Sequence, residues 1–184
     1  MKELRHIPVQ KGKTYDISIA RLGTSGEGVG RYEGFTVFVP FALPGEQVRA
    51  RIILVKKNYA TAALVEVLKP SPDRIQPQCP VYDRCGGCQL QHLSYEGELK
   101  EKRQQVRDAL ERIGHLQHID VLPTLGANTP WHYRNKMQFP VAAAGKGKVA
   151  IGCFAAATHQ VIDVKDCAIQ KEATTPSSPS SASG

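Results

Sequence analysis

The chain has 184 residues, 41% of them hydrophobic and 22% charged, with a formal net charge of +7 and five cysteines. That composition supports packed cores and excludes a wholly disordered chain, no apolar run approaches the ~20 residues of a membrane span, and the opening MKELRHIPVQKGKTYD lacks the apolar segment of a secretory signal. The positive balance favours an anionic partner, and an odd cysteine count in a chain expected in the reducing cytoplasm points to metal or catalytic chemistry rather than a disulfide framework.

Residues 1–10 read as an N-terminal arm, and residues 11–69 as an all-β domain. Five short segments, Thr14–Leu22, Gly28–Tyr32, Thr36–Pro40, Gln47–Val55 and Tyr59–Val67, alternate or run apolar between turns at Gly23–Gly26, Glu33–Gly34 and Pro44–Gly45. Short strands so closely punctuated by Gly and Pro predict a small barrel or sandwich. In QVRARIILVKK, Val48, Ala50 and Ile52 alternate with Arg49 and Arg51, the pattern of a half-buried strand with cations on its outer face. The basic excess lies here: residues 1–70 hold 11 of the 24 Lys and Arg but 6 of the 17 Asp and Glu. The Gly-rich run GTSGEGVG (23–30) lies between two strands and opens no helix, so it reads as a barrel turn and not as a phosphate or cofactor loop.

Residues 70–78, PSPDRIQPQ, form a Pro-punctuated linker. A loop follows with Cys79, Cys85, Gly86, Gly87 and Cys88. Two thiolates separated by two residues can face one metal, with the glycines letting the backbone approach the sulfurs closely. A third ligand lies six residues upstream, and Cys167, Cys153, His92 and His132 are candidates for the fourth. The spacing alone leaves zinc and an iron–sulfur cluster open, since both accept four thiolates. A thioredoxin-type redox pair is disfavoured, because no helix opens at the CxxC. Ser94 then caps a predicted helix with Glu96 in its first turn, an apolar stripe Leu99, Val106, Leu110 and Ile113, and Gly114 as its stop. Its basic and acidic residues read as a solvated face. Within 131–167, WHYRNKMQFPVA, KVAIGCFA and THQVIDVKDC predict three strands, with Gly145-Lys-Gly147 as a hairpin. Residues 171–184 are rich in Ser, Pro, Thr and Ala and predict a disordered tail.

CGGCQLQHLSYEGELKEKR (85–103), with Cys79 upstream and VIDVKDCAIQ (161–170) downstream, resembles the bacterial RNA (uracil-5-)-methyltransferases, the TRAM-containing enzymes that act on 23S rRNA or tRNA. The resemblance runs over residues 7–170. It implies an α+β, mainly β chain: an OB-like TRAM barrel that binds RNA, then a cysteine-rich iron–sulfur loop, one amphipathic helix and a partial β-rich central domain within 70–170. It assigns Cys79, Cys85, Cys88 and Cys167 to a [4Fe–4S] cluster. Cys153 matches no family ligand and reads as a small core residue on a strand. Cationic strand faces and a stacking aromatic hold single strands on OB-like barrels, which nominates Arg49, Arg51, Lys56, Lys57 and Tyr59 as RNA contacts. The family-like stretch 131–141 adds Tyr133, Arg134, Lys136 and Gln138.

The family's chemistry uses a nucleophilic cysteine, a carboxylate base and S-adenosylmethionine bound on a doubly wound domain. None of these motifs is expected in the 184 residues, so the chain is expected to bind RNA without methylating it. Thr174–Ser178 is consistent with a frame-shifted translation of a helix-coding stretch, the alternatives being a deliberately short gene or a sequencing error. The competing readings are a stand-alone RNA-binding module with a structural metal cluster and, disfavoured by cluster spacing and barrel position, a methylthiotransferase relative. Ribosomal RNA is preferred over tRNA, no membrane is expected, and nothing in the sequence speaks to oligomeric state.

Overall fold

The computed structural model describes residues 6–145 and 147–171. The predicted tail therefore lies outside the described residues except for Lys171. Two compact units are formed from interleaved stretches of chain. One, the barrel unit, takes the chain up to Ile75 together with His92–Thr124. The other, the cysteine unit, takes Gln76–Gln91 and the chain from Leu125 onward.

Five strands close the barrel: β1 (Thr14–Leu22), β2 (Gly28–Tyr32), β3 (Phe35–Val39), β4 (Gln47–Val55) and β5 (Tyr59–Lys69), in the order β1-β2-β3-β5-β4. Local hairpins supply most of the pairing. At β2–β3 both Glu33 and Gly34 have positive φ (46° and 79°), the geometry of a tight hairpin turn. Pro44-Gly45 turns the chain with Gly45 at φ 82° and the Glu46 N–H donating to Leu43 O at 3.2 Å. The two closing contacts are non-local: β1 pairs antiparallel with β4, and β3 pairs parallel with β5 at Thr36–Tyr59, Val37–Ala60 and Phe38–Thr61. Period-two alternation sends Ile17, Ile19, Val37, Val39, Val48, Ala50, Ile52, Ala60 and Ala62 inward, all at most 2% exposed. Each large apolar side chain so buried contributes roughly 1.5–3 kcal/mol. β2 crosses β1 so tightly that a Cβ on Gly30 would sit 2.5 Å from Ile17 Cγ2 and from Ser18 O. The Gly-rich run is thus a turn and a close strand crossing. The run IILV stops alternating because a register shift between Ile52 and Leu54 turns Ile53 and Leu54 both outward.

Helix α1 (Tyr95–Asp108) belongs to the barrel unit. Ser94 caps it, its Oγ accepting from Gly97 N at 3.1 Å and donating to Asp73 Oδ1 at 3.1 Å. Gly97 lies against residue 73, where a Cβ would stand 3.0 Å from Asp73 Cβ. The helix ends in a π-helical turn, Ala109–Ile113. Gly114 is not the left-handed stop the sequence predicts: its φ is −78°, and His115 (φ 52°) takes that role. What requires glycine there is space, since a Cβ would meet Leu110 O at 2.8 Å. The expected apolar stripe is only partly covered, with Val106 and Ile113 exposed.

In the cysteine unit, β6 (Val141–Ala143), β7 (Val149–Phe154) and β8 (Val161–Asp163) form an antiparallel sheet in chain order. Gly145 and Gly147, with φ 78° and 72°, lie in the β6–β7 hairpin. Three strands are present as predicted, but each is shorter than the predicted segment, the first and third being three residues each. Trp131–Pro140 is irregular, with Arg134 bridging Gln170 and Pro140 O accepting from Gly152 N–H of β7 at 3.3 Å. Among the described residues there is no doubly wound α/β domain.

Candidate metal centre and nucleic-acid surface

The cysteine loop folds back on β7. Gly86 N–H donates to Phe154 O at 2.9 Å, and Cys85 pairs antiparallel with Ala155. Gly86 is required by this approach: its Cβ would stand 3.0 Å from Ala156 N and Cα and from Phe154 O. Gly87 N–H points back to Cys85 Sγ at 3.4 Å, a donor of the kind that stabilises a ligating sulfur. Gln91 Oε1 accepts from Cys79 N at 3.2 Å, and Tyr82, nearly buried, donates to Gln89 O at 2.6 Å, pinning both ends of the loop.

The result is a cavity of about 50 Å³ within the cysteine unit, lined by Cys79, Cys85, Cys88, Cys153 and Cys167. The four cysteines assigned by resemblance therefore share one cavity wall, although Cys167 is far from the others in sequence. All five are free thiols, half-buried. Burial pushes the Cys79 and Cys88 thiols up, and burial together with neighbouring Cys85 pushes Cys153 up to about 12. Among the described residues no group of three or more His, Cys, Asp or Glu is gathered closely enough to hold a single metal ion. A four-iron cluster makes a different demand: it occupies volume of its own and needs thiolates spaced around that volume. One zinc ion would instead need four sulfurs about 2.3 Å from a common point.

The other candidate ligands are engaged elsewhere. His92 belongs to the barrel unit, where it is 2% exposed with its ring 6.0 Å from that of Phe41. His132 Nδ1 lies 2.9 Å from Gln170 O, and His132 is not in the cavity wall. Two cavity residues were read differently from sequence. Cys153, taken as a core residue, is part of the wall. Arg134, taken as an RNA contact, also lines the cavity, with Nη1 3.3 Å from Met137 Sδ. Tyr133, Lys136 and Gln138 are exposed.

On the barrel, Arg51, Lys56, Lys57 and Tyr59 are exposed, and the Tyr59 ring stands edge-on to Phe38 at 5.4 Å. Arg49 differs. It pairs in register with Asp16 on one neighbouring strand and Glu66 on the other, bonding Asp16 through Nε (2.8 Å) and Nη2 (3.1 Å) and Glu66 through Nη1 (3.3 Å). The Arg49 hydrogen bond holds the Asp16 carboxyl below its ordinary value. A guanidinium so engaged offers little to a phosphate. Reading the strand gave its outward direction but not its acidic neighbours, which are set by cross-strand register.

The barrel carries one further polar group that the sequence does not announce. Glu46, whose side chain is fully buried, accepts from Leu43 N (2.8 Å), Ser71 N (3.2 Å), Arg74 Nε (2.6 Å) and Arg74 Nη2 (2.8 Å). Arg74 Nη2 also donates to Phe41 O at 2.7 Å. This knot ties the β3–β4 turn to the segment leaving the barrel.

Comparison with known proteins agrees with the architecture. A family model described as TRAM domain matches residues 8–65. The chain is 48% identical over 168 residues to a protein of Clostridium tetani named as an uncharacterised RNA methyltransferase, covering 91% of this chain and 36% of that one. It is 47% identical over 175 residues to a similarly named protein of Halalkalibacterium halodurans, covering 94% and 38%. Among solved structures, the tRNA (uracil-54, C5)-methyltransferase of Pyrococcus abyssi, in complex with S-adenosyl-L-homocysteine, matches with a TM-score of 0.56 and 25% identity, over 85% of this chain and 33% of that one. The chain spans little more than a third of the length of the curated relatives it matches.

Proposed function

We propose that these 184 residues, which carry a TRAM domain and resemble proteins named RNA methyltransferases over nine-tenths of their length, form the RNA-binding N-terminal portion of an S-adenosylmethionine-dependent RNA (uracil-5-)-methyltransferase, with Cys79, Cys85, Cys88 and Cys167 holding a [4Fe–4S] cluster. The observation that carries the cluster reading is the shared cavity wall, which joins a sulfur from residue 167 to three from residues 79–88. The cluster would act as a clip: it closes a loop of about 80 residues, and loop-closure entropy makes such a link more valuable as the loop lengthens. Arg134 would balance its charge. The barrel would grip RNA through Arg51, Lys56, Lys57 and Tyr59, with Arg49 a lesser contributor, and the exposed Tyr133, Lys136 and Gln138 would add contacts in the cysteine unit.

The proposed substrate is 23S rRNA in preference to tRNA, on the wording of residues 85–103. The Pyrococcus relative, which acts on tRNA, makes competition between the two RNAs the informative comparison. Methyl transfer would need a cofactor domain, and none is present among the described residues, so the chain is expected to bind RNA without turnover. Anaerobic purification tests the cluster: about four irons and four sulfides per chain, with a broad visible absorption lost on exposure to air, are expected. Tightly bound zinc without sulfide would overturn it. Tritium release from 5-tritiated uridine RNA with added S-adenosylmethionine tests the rest. Turnover by the 184 residues would refute the binding-only reading, and RNA binding without any methyltransferase partner in the organism would favour a stand-alone module.

A further inference from the structure

Five thiols line the cysteine-unit cavity, one more than a four-iron cluster requires. Cys153 owes its place to register. Cys85 is paired antiparallel with Ala155, and residues two apart on a strand share a face, so Cys153 projects to the same side as Ala155 and Cys85. The sulfurs of Cys85 and Cys153 then flank one small space: a methyl group on Gly87 would lie 3.4 Å from Cys85 Sγ and 3.9 Å from Cys153 Sγ. The two side chains are within hydrogen-bonding reach, and Cys167 and Cys88 share the cavity wall with them. The sequence places no other chemistry on Cys153, and a core role asks only for a small apolar group.

We propose that Cys153 is an alternative ligand at the Cys85 corner of the metal centre, able to take over the iron that Cys85 would hold. The inference rests on the cluster reading above. In the exchange, Cys153 gives its thiol proton to the departing Cys85 sulfur. With a cluster bound, one iron would pass from the Cys85 sulfur to the Cys153 sulfur, and no electron would change hands. The glycine at 87 leaves the room in which the two sulfurs change places.

The test reads metal content, not catalysis. Wild-type chain, Cys85→Ser, Cys153→Ser, Cys85→Ser/Cys153→Ser and Cys79→Ser are reconstituted anaerobically with ferrous iron and sulfide, and iron and acid-labile sulfide are counted per folded chain. Cys85→Ser and Cys153→Ser are each expected to keep at least half of the wild-type load. The double variant and Cys79→Ser are expected to fall at least five-fold. Loading of Cys85→Ser as low as the double variant overturns the proposal. A wild-type chain that takes up neither iron nor sulfide overturns the cluster reading and the proposal with it. A second measurement needs no substitution: brief iodoacetamide treatment of the loaded wild-type chain should label both Cys85 and Cys153 in part and spare Cys79, Cys88 and Cys167. Labelling at Cys153 alone, with Cys85 fully protected, speaks against exchange and overturns it.

Discussion

Replacing Glu46 should cost the barrel unit more than any other single charged-residue change. The carboxylate is fully buried and accepts four hydrogen bonds, two from Arg74 and two from the backbone N–H groups of Leu43 and Ser71. Glu46→Ala leaves those two N–H groups and a guanidinium, itself only 23% exposed, without their acceptor. Breaking a buried ion pair by removing one partner costs about 3–5 kcal/mol. With a domain of this size losing about 4–8 °C per kcal/mol, the melting midpoint of the barrel should fall by at least ~12 °C. Glu46→Gln keeps one acceptor oxygen but sets an amide NH₂ against donors, so it should fall between wild type and alanine. Glu66→Ala is the control: its pair with Arg49 is exposed on both sides and is worth at most ~1 kcal/mol. Urea unfolding of the full chain followed by circular dichroism measures all three. Glu46→Ala within about 1 kcal/mol of wild type would refute the argument that burial and pairing make this carboxylate a keystone.

Acid should loosen the barrel in two windows. Burial and the charge of Arg74 lower His92 from 6.5 to about 4, so the unfolded chain takes up this proton first and stability should fall as pH drops from 6.5 toward 4; His92→Gln should flatten that slope in urea titrations. Burial raises Glu46, but hydrogen bonds from Arg74, Leu43 and Ser71 outweigh it and the net shift is downward, so its contribution is present above the ordinary glutamate value and is lost as pH falls through the lowered one; Glu46→Gln should lose that second decline. Cys167→Ala should raise hydrogen exchange in the cysteine unit, Gln76–Gln91 and the chain from Leu125 onward, and leave the protection of the barrel unit, helix α1 included, unchanged; a barrel that melts with it would contradict two separate units. Lys56→Ala and Lys57→Ala should each weaken RNA binding and lower the slope of log affinity against log salt by about 0.7, whereas Arg49→Ala should leave that slope nearly unchanged.

The barrel strands were legible because Gly and Pro punctuate a period-two pattern whose inward residues are nearly all Val, Ile and Ala. What local pattern could not supply was closure, which rests on a parallel β3–β5 pairing between segments that are not neighbours in sequence. Helix α1 was legible from Ser94 and its spacing, but an apolar stripe does not name its partner, and the helix joins the barrel unit rather than the cysteine loop that precedes it. The resemblance assigned four sulfurs, and all four line one cavity. It did not place Cys153 and Arg134 in the cavity wall, because their directions depend on long-range register. Cys153 is aimed by the Cys85–Ala155 pairing, and Arg134 lies in an irregular segment fixed by its bridge to Gln170, where strand alternation assigns no face.

The interleaving of the two units bears on how the polypeptide can mature as it is synthesised. The barrel strands leave the ribosome first, but the helical stretch that completes their unit follows only after three thiols have emerged. Those thiols then wait some 80 residues for Cys167, with no β7 yet present to shelter them. Any iron delivered early would meet an incomplete set of sulfurs, so loading is best timed to follow the emergence of Cys167. Cutting the chain cleanly between the units is impossible, because neither is contiguous.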